Sequence, residues 1–445
     1  MTSAAQQRGG GSAWRAWLIA LAATSAVLVL LRLALGTGAL AITWDEKYAV
    51  PIIEAIRASD WSIASLLDYD DTKGPAFFWL YAAWGEVVGG EAVQLRWLSI
   101  IATALGAAAI TGMLAPRERS VPGVLMIALL AVTLPYSAVL SQLVMSEATF
   151  VLGGVAMAVV AVRSLCRKGE RMRRVVGPVC FGVLLAALLH HRVHVLALGG
   201  AVVVLALAVE GRRGWPWVVA ALLAGLSRLP LYLRWGGLVG ESFRERYSVG
   251  LRFDSLAYLL AALLPTIGLA LVVMVMRRRQ VGSAALGAMI AAGALGAALA
   301  VLMPPGVTSE VQDLRFAGPV ASVLRPLATS PILLSVALAA LAALGAMSLA
   351  GAMWLGWGES GSENGVATAT PMQRCGTRLA CLTILFGWLL SALASGDVYD
   401  RYLIAFTFLW PLWCVRVMPR RIVIAQIAWQ AAFTGLQVWG QFAAR

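Results

Sequence analysis

Residues 14–46 read WRAWLIALAATSAVLVLLRLALGTGALAITWDE, a long apolar run that ends on a tryptophan and two acids. A helix rises about 1.5 Å per residue, so about 20 apolar residues cross a hydrocarbon layer of about 30 Å. Similar stretches recur to the end of the chain. Thirteen spans are predicted, near 14–40, 92–114, 121–140, 147–163, 175–190, 194–210, 215–234, 255–276, 281–302, 331–357, 379–395, 402–418 and 421–440. The 445 residues are 60% hydrophobic and 13% charged, more apolar surface than a soluble core of that size can bury. Backbone groups in lipid must bond within their own segment, so the expected class is an all-α polytopic membrane protein, one integral membrane domain without a soluble one.

The distribution of charge orients the spans. With the N-terminus in the cytoplasm, more than half of the 35 basic residues fall inside: Arg8 and Arg15, Arg117 and Arg119, the cluster from Arg163 to Arg174, Arg212 and Arg213, Arg277 to Arg279, Arg374 and Arg378, and Arg416, Arg420 and Arg421. Of the 22 acidic residues, only Glu118, Glu170, Glu210, Glu359 and Glu363 join them. The net charge of +13 therefore reports membrane orientation, and no nucleic-acid partner is expected. This bias requires two short spans between Val175 and Glu210, broken at His190-His191-Arg192-Val193-His194, because one long helix there would turn Arg277 to Arg279 and Arg420 to Arg421 outward. The five cysteines lie in spans or on the inner side without metal-ligand spacing, so no structural disulfide is expected. The apolar segment at the start is far longer than a secretory signal core and reads as an uncleaved signal anchor.

The long loops fall on the outer side, at 41–91, 235–254 and 303–330, and function is expected on that face. The inner linker Gly358 to Pro371, rich in Gly, Ser, Glu and Thr, is expected to carry no chemistry. In the first loop, Tyr48, Ile52, Ile53 and Ile56 recur at helical spacing, which predicts an interfacial helix over 45–57. Residues 76–88, with Phe77, Phe78, Trp79, Tyr81 and Trp84, are too few to span and predict a second interfacial helix with aromatics at headgroup depth.

Chemistry-bearing residues gather on that face. Asp45 and Glu46 alone would simply begin a helix, where its dipole favours acids. Glu147, in the turn between the third and fourth spans, is a carboxylate close to lipid, expensive unless paired or functional. Two acids from separate turns facing one cavity could deprotonate an acceptor and order it or a metal. Lys73-Gly74-Pro75 alone reads as a turn with a solvated lysine, but a lysine held at headgroup depth can neutralise a phosphate. Arg401, in Asp400-Arg401-Tyr402, stands at an outer helix entrance against the inward bias of the other arginines, which suits a phosphate clamp or a snorkelling pair with Asp400. Arg192 with His194, and Arg315 with Asp313, are similar candidates. The second loop, with Glu241, Arg244, Glu245, Arg246, Tyr247, Arg252 and Asp254, reads equally as a sugar-binding or a self-neutralised surface. His190, His191 and His194 alone are a weak zinc pattern.

Asp45-Glu46 after the first span, Lys73-Gly74-Pro75-Ala76-Phe77-Phe78-Trp79-Leu80, the second-span entrance Glu91 to Leu98, Glu147 and Asp400-Arg401-Tyr402-Leu403 together resemble bacterial glycosyltransferase family 39. That family has the C-type (GT-C) integral membrane fold and is similar to protein O-mannosyltransferases and the lipid A aminoarabinose transferase. The chain has Gly74 where the family more often has proline, and Arg192-Val193-His194 where a Lys-Gly-Pro-like turn is usual. The resemblance implies inverting transfer of a sugar from a polyprenyl-phosphate donor to a lipid, glycan or protein acceptor at the outer face. Asp45 would be the general base, assisted by Glu46 or Glu147. Lys73, Arg401, Arg192, His194 and Tyr402 would bind the donor phosphate, whose developing charge the cations stabilise. Some relatives bind a divalent cation at the acids and others do without, so a metal at Asp45 and Glu147 is left open. The rival reading is a transporter or flippase of polyprenyl-linked glycans, which would show paired repeats and broken helices with mid-membrane polar residues; those are scarce here.

Overall fold

The computed structural model describes residues 3–38, 40–42, 45–67, 69, 71–114, 120–166, 171–237, 239–243, 254–277, 281–302, 320, 324–327, 329–357, 370–393 and 403–438. Every regular element among them is helical. The long apolar α1 (Ser3–Ala34) is followed by α2 (Glu46–Arg57), the single turn α3 (Ile63–Leu66) and α4 (Pro75–Val88), all three within the first loop. Next come α5 (Ala92–Leu114), α6 (Val121–Val132), α7 (Ser137–Leu140), α8 (Ser146–Cys166) and α9 (Arg171–Leu189). After them run α10 (Val195–Glu210), α11 (Trp215–Leu226) and α12 (Leu229–Trp235), and then α13 (Asp254–Ile267), α14 (Leu269–Met276) and α15 (Ser283–Leu302). The chain closes with α16 (Pro331–Trp357), α17 (Pro371–Leu390), α18 (Ile404–Thr407), α19 (Trp410–Val417) and α20 (Arg420–Val438).

Among the described residues, seven segments are long and apolar enough to cross a membrane, and eight if α13 and α14, bent by 67° at Gly268, count as one span. The chain is thus a multi-pass membrane protein. The remaining segments of the expected thirteen are shorter or more polar. Val121–Val132 and Val175–Leu189 are apolar but short, the expected span at 402–418 is divided between α18 and α19, and α20 buries Gln426, Gln430 and Gln437.

The segment Val195–Trp235 is one apolar stretch of 41 residues, about 60 Å if straight and twice the hydrocarbon thickness. It folds back at Gly211–Gly214. Gly214 packs so tightly on the preceding helix that a Cβ there would stand 3.0 Å from the Ala206 carbonyl oxygen. The break expected at 190–194 is also present: α9 stops at Leu189 and α10 starts at Val195, with Gly199 lying against Leu185 across the turn.

The helices group into two compact units, one of residues 1–132 and 137–245, the other of residues 133–136 and 246–445. In the first, α1 lies against α5 and α6, α5 against α8, and α9 against α8 and α11. In the second, α16 packs against α13 and α15. Gly345 of α16 permits that approach, because a Cβ there would overlap the Leu260 carbonyl.

Both first-loop helices form, but they bury different faces from those expected. Tyr48 is exposed, and α2 buries Glu46, Ala49, Val50, Ile53 and Ile56. This face meets Phe77, Phe78 and Tyr81 of α4, with Leu95 and Val144, in one cluster. The aromatics expected at headgroup depth therefore pack inside the protein; of the five, only Trp79 and Trp84 stay partly uncovered. Protein packing outcompetes the interface here because the i, i+3, i+4, i+7 face that begins at Glu46 can be buried once that carboxylate has a partner.

Candidate functional site

That partner is Arg96, one turn into α5. The two side chains are fully buried and form a fork, Arg96 Nε donating to Glu46 Oε1 at 2.8 Å and Nη2 to Oε2 at 2.7 Å. Arg96 also donates to the carbonyls of Thr37 (2.9 Å), Leu40 (2.8 Å) and Ala41 (3.1 Å). All five guanidinium N–H groups are used, as burial of an arginine demands. Glu46 Oε1 in turn accepts the Val144 backbone N–H at 2.8 Å. One ion pair thus joins the end of α1, the start of α2, α5 and the approach to α8.

Asp45 immediately precedes α2. Its carboxylate is 3.5 Å from Lys73 Nζ, and on the other side the same ammonium lies 3.3 Å from Asp71. Asp71 also accepts the Lys73 backbone N–H at 2.9 Å, which fixes the turn. The side chains of Asp71 and Lys73 are 3% and 8% exposed and that of Asp45 is 21% exposed, so Asp45 is the least buried of the trio. Tyr69 closes the turn by donating to the Lys73 carbonyl at 3.1 Å. Burial, with Asp71 nearby, pushes its phenol well above the ordinary range.

The lysine turn is clamped to the break between α9 and α10. Gly74 N–H donates to the His191 carbonyl and Ala76 N–H to the His190 carbonyl. A Cβ on Gly74 would overlap that His190 carbonyl, which is the local reason for glycine at this position. Within the break, Arg192 Nη1 pairs with Glu147 Oε1 at 2.7 Å, donates to Ser146 Oγ, and Arg192 Nε donates to His194 Nδ1 at 3.3 Å. His191 is buried, 2.8 Å from Thr149 Oγ1 and edge-on to Phe77. Burial, with Arg192 beside it, lowers its pKa from 6.5 to about 3, so the imidazole is neutral near pH 7.

The fold therefore brings together Asp45, Glu46, Lys73, Glu147, Arg192 and His194, four separate chain segments at one end of the first unit's helices. Arg401 and Tyr402 lie outside the described residues, as do Arg315, Asp313 and the second-loop residues from Arg244 to Arg252. Asp71, Arg96 and Ser146 complete the site and were not singled out from sequence as members. Arg96 carried a legible signal, an arginine within the apolar run Ala92–Met113, where a charge needs a partner or a task. Asp71 carried only its place two residues before Lys73.

Among the described residues, no group of three or more His, Cys, Asp or Glu side chains converges to hold a metal ion. The donor set itself disfavours one at the two proposed ligands. Asp45 already faces the Lys73 ammonium, and Glu147 the Arg192 guanidinium, so each carboxylate has a cation built into the protein. Comparison with protein-family models and with curated protein sequences finds no match to this chain.

Proposed function

We propose that this protein is an inverting glycosyltransferase that moves a sugar from a polyprenyl-phosphate donor to an acceptor hydroxyl on a lipid, glycan or protein. The supporting observation is that Asp45, which also faces Lys73, is the most exposed acid in a cluster whose Glu46, Asp71 and Glu147 are buried beside cations. In this reading Asp45 takes the proton of the acceptor hydroxyl as its oxygen attacks the anomeric carbon. The bond from that carbon to the phosphate oxygen breaks, and the lipid phosphate leaves with the electron pair. Lys73 and Arg192 offset the charge that grows on the leaving phosphate and His194 orients it, roles that the resemblance also gives to Arg401 and Tyr402. Glu46, locked to Arg96, places Asp45. The acids need no metal ion in this scheme.

A site against the membrane suits a lipid donor, whose prenyl tail can stay among helices while its phosphate enters the polar cluster. The proposal includes thirteen crossings, a cytoplasmic N-terminus and a site on the outer face of a bacterial plasma membrane. Asp45→Asn, which keeps shape and removes the base, is expected to abolish transfer from a radiolabelled polyprenyl-phosphate sugar while leaving donor binding intact. Full turnover by this variant would refute the assignment.

A further inference from the structure

Of the cations that border the site, Lys73, Arg96 and Arg192 each face a carboxylate. Arg228, between α11 and α12, faces none among the described residues. It is only 2% exposed, its Nη1 donates to the Leu189 carbonyl, and its Nε is buried without a hydrogen-bond partner. The half-buried ring of Tyr232 lies 5.2 Å from the guanidinium carbon. A buried cation with neither a counter-charge nor a full set of acceptors costs several kcal/mol, and such a residue marks a place where an anion is taken up.

Its position says which anion. The Leu189 carbonyl that Arg228 holds ends α9, directly before the 190–194 break. The next residue, His190, meets the Ser227 carbonyl through Nε2 at 3.2 Å and accepts the Ala76 N–H through its own carbonyl. Tyr69, whose hydroxyl holds the Lys73 carbonyl, packs edge-on to Trp235 at 6.0 Å, at the end of α12. Arg228 is thus linked to the lysine turn by two routes, through Leu189 and His190 to Ala76 and through the helix that carries Trp235 to Tyr69. Lys73 and Arg192 each already face a carboxylate, Lys73 both Asp45 and Asp71, so their attraction for an arriving phosphate is shared with those acids.

We infer that Arg228 is a phosphate-binding residue for the lipid donor, its guanidinium supplying a charge that no described carboxylate contacts and the free N–H. The inference rests on the reading that the site takes a prenyl phosphate. It adds to Lys73 and Arg192 a further residue that distinguishes a phosphorylated prenyl chain from an uncharged one. Arginine suits the task because its planar fork offers phosphate two parallel hydrogen bonds.

The test uses the purified full chain in detergent, titrated with decaprenyl phosphate, decaprenol and inorganic phosphate and followed by tryptophan fluorescence. The wild type is expected to bind decaprenyl phosphate well above decaprenol, with inorganic phosphate weakest. Arg228→Met should weaken decaprenyl phosphate about 10- to 100-fold, the worth of a charged hydrogen bond, and leave decaprenol unchanged. Arg228→Lys should fall between. Equal weakening of both lipids would show a purely structural arginine and overturn the inference; inorganic phosphate binding as tightly as the lipid would overturn the assignment to a lipid. Should both variants unfold, hydrogen exchange over residues 227–235 of the wild type decides, with protection by decaprenyl phosphate but not by decaprenol in support and equal protection against. An active wild type whose lipid preference survives Arg228→Met refutes this inference alone. A preference abolished by Arg228→Met in a protein that transfers no sugar refutes the transferase reading alone.

Discussion

Glu46 and Arg96 are each tolerable in the core only because of the other. Removing one leaves a buried charge unpaired, at a cost of about 3–5 kcal/mol, whereas removing both leaves no charge to solvate. Glu46→Gln and Arg96→Met are each expected to lower the unfolding temperature in detergent markedly. The double variant Glu46→Leu with Arg96→Met should recover part of the loss, but not all, because the Thr37, Leu40 and Ala41 carbonyls then lack their donor. A double variant no more stable than the worse single one would contradict this account. His191 makes a second residue-level prediction. Above pH 6.5 it is neutral folded or unfolded; between 6.5 and about 3 the unfolded chain binds a proton that the folded protein excludes. Stability should therefore fall as pH is lowered through that window, by up to about 1.4 kcal/mol per pH unit from this group. His191→Gln, which can still bond Thr149, should flatten the fall in unfolding temperature between pH 7 and pH 5.

At the scale of elements, the site depends on two irregular segments held together by main-chain bonds, the lysine turn before α4 and the break between α9 and α10. Gly74→Ala tests that clamp, because the added methyl must push the His190 carbonyl away. We expect a loss of about 1–3 kcal/mol from overpacking, together with reduced transfer as Lys73 moves relative to Asp45. Wild-type stability and turnover in the Gly74→Ala protein would show that the clamp is dispensable. The existence of α2 and α4 was legible from period and length. Their buried faces were not: the pattern from Tyr48 to Ile56 is satisfied almost as well by a face rotated toward Ala49 and Val50, and only Arg96, far along the chain, makes the choice that also buries Glu46.

For the whole molecule, the charge bias makes a prediction about sidedness. In a background without native cysteines, Asp60→Cys in the first loop should react with a membrane-impermeant maleimide in intact cells. Arg212→Cys, at the fold-back between α10 and α11, should react only after permeabilisation. Both positions are exposed on the protein, so labelling of the two from the same side would refute the topology.

Hydropathy and charge are properties of short stretches, and the sequence by itself therefore determined the multi-pass helical class, the break at 190–194 and the fold-back near Gly211, together with the candidacy of Asp45, Lys73, Glu147 and Arg192. Pairing is a property of distance in space. Only the tertiary structure decided that Glu46 is spent on Arg96, that Asp71 shares Lys73 with Asp45, that Glu147 answers Arg192, and that Arg228 faces no counter-charge among the described residues. The worth of a buried charge depends on what stands within a few ångströms of it, and those neighbours come from segments the linear order keeps far apart.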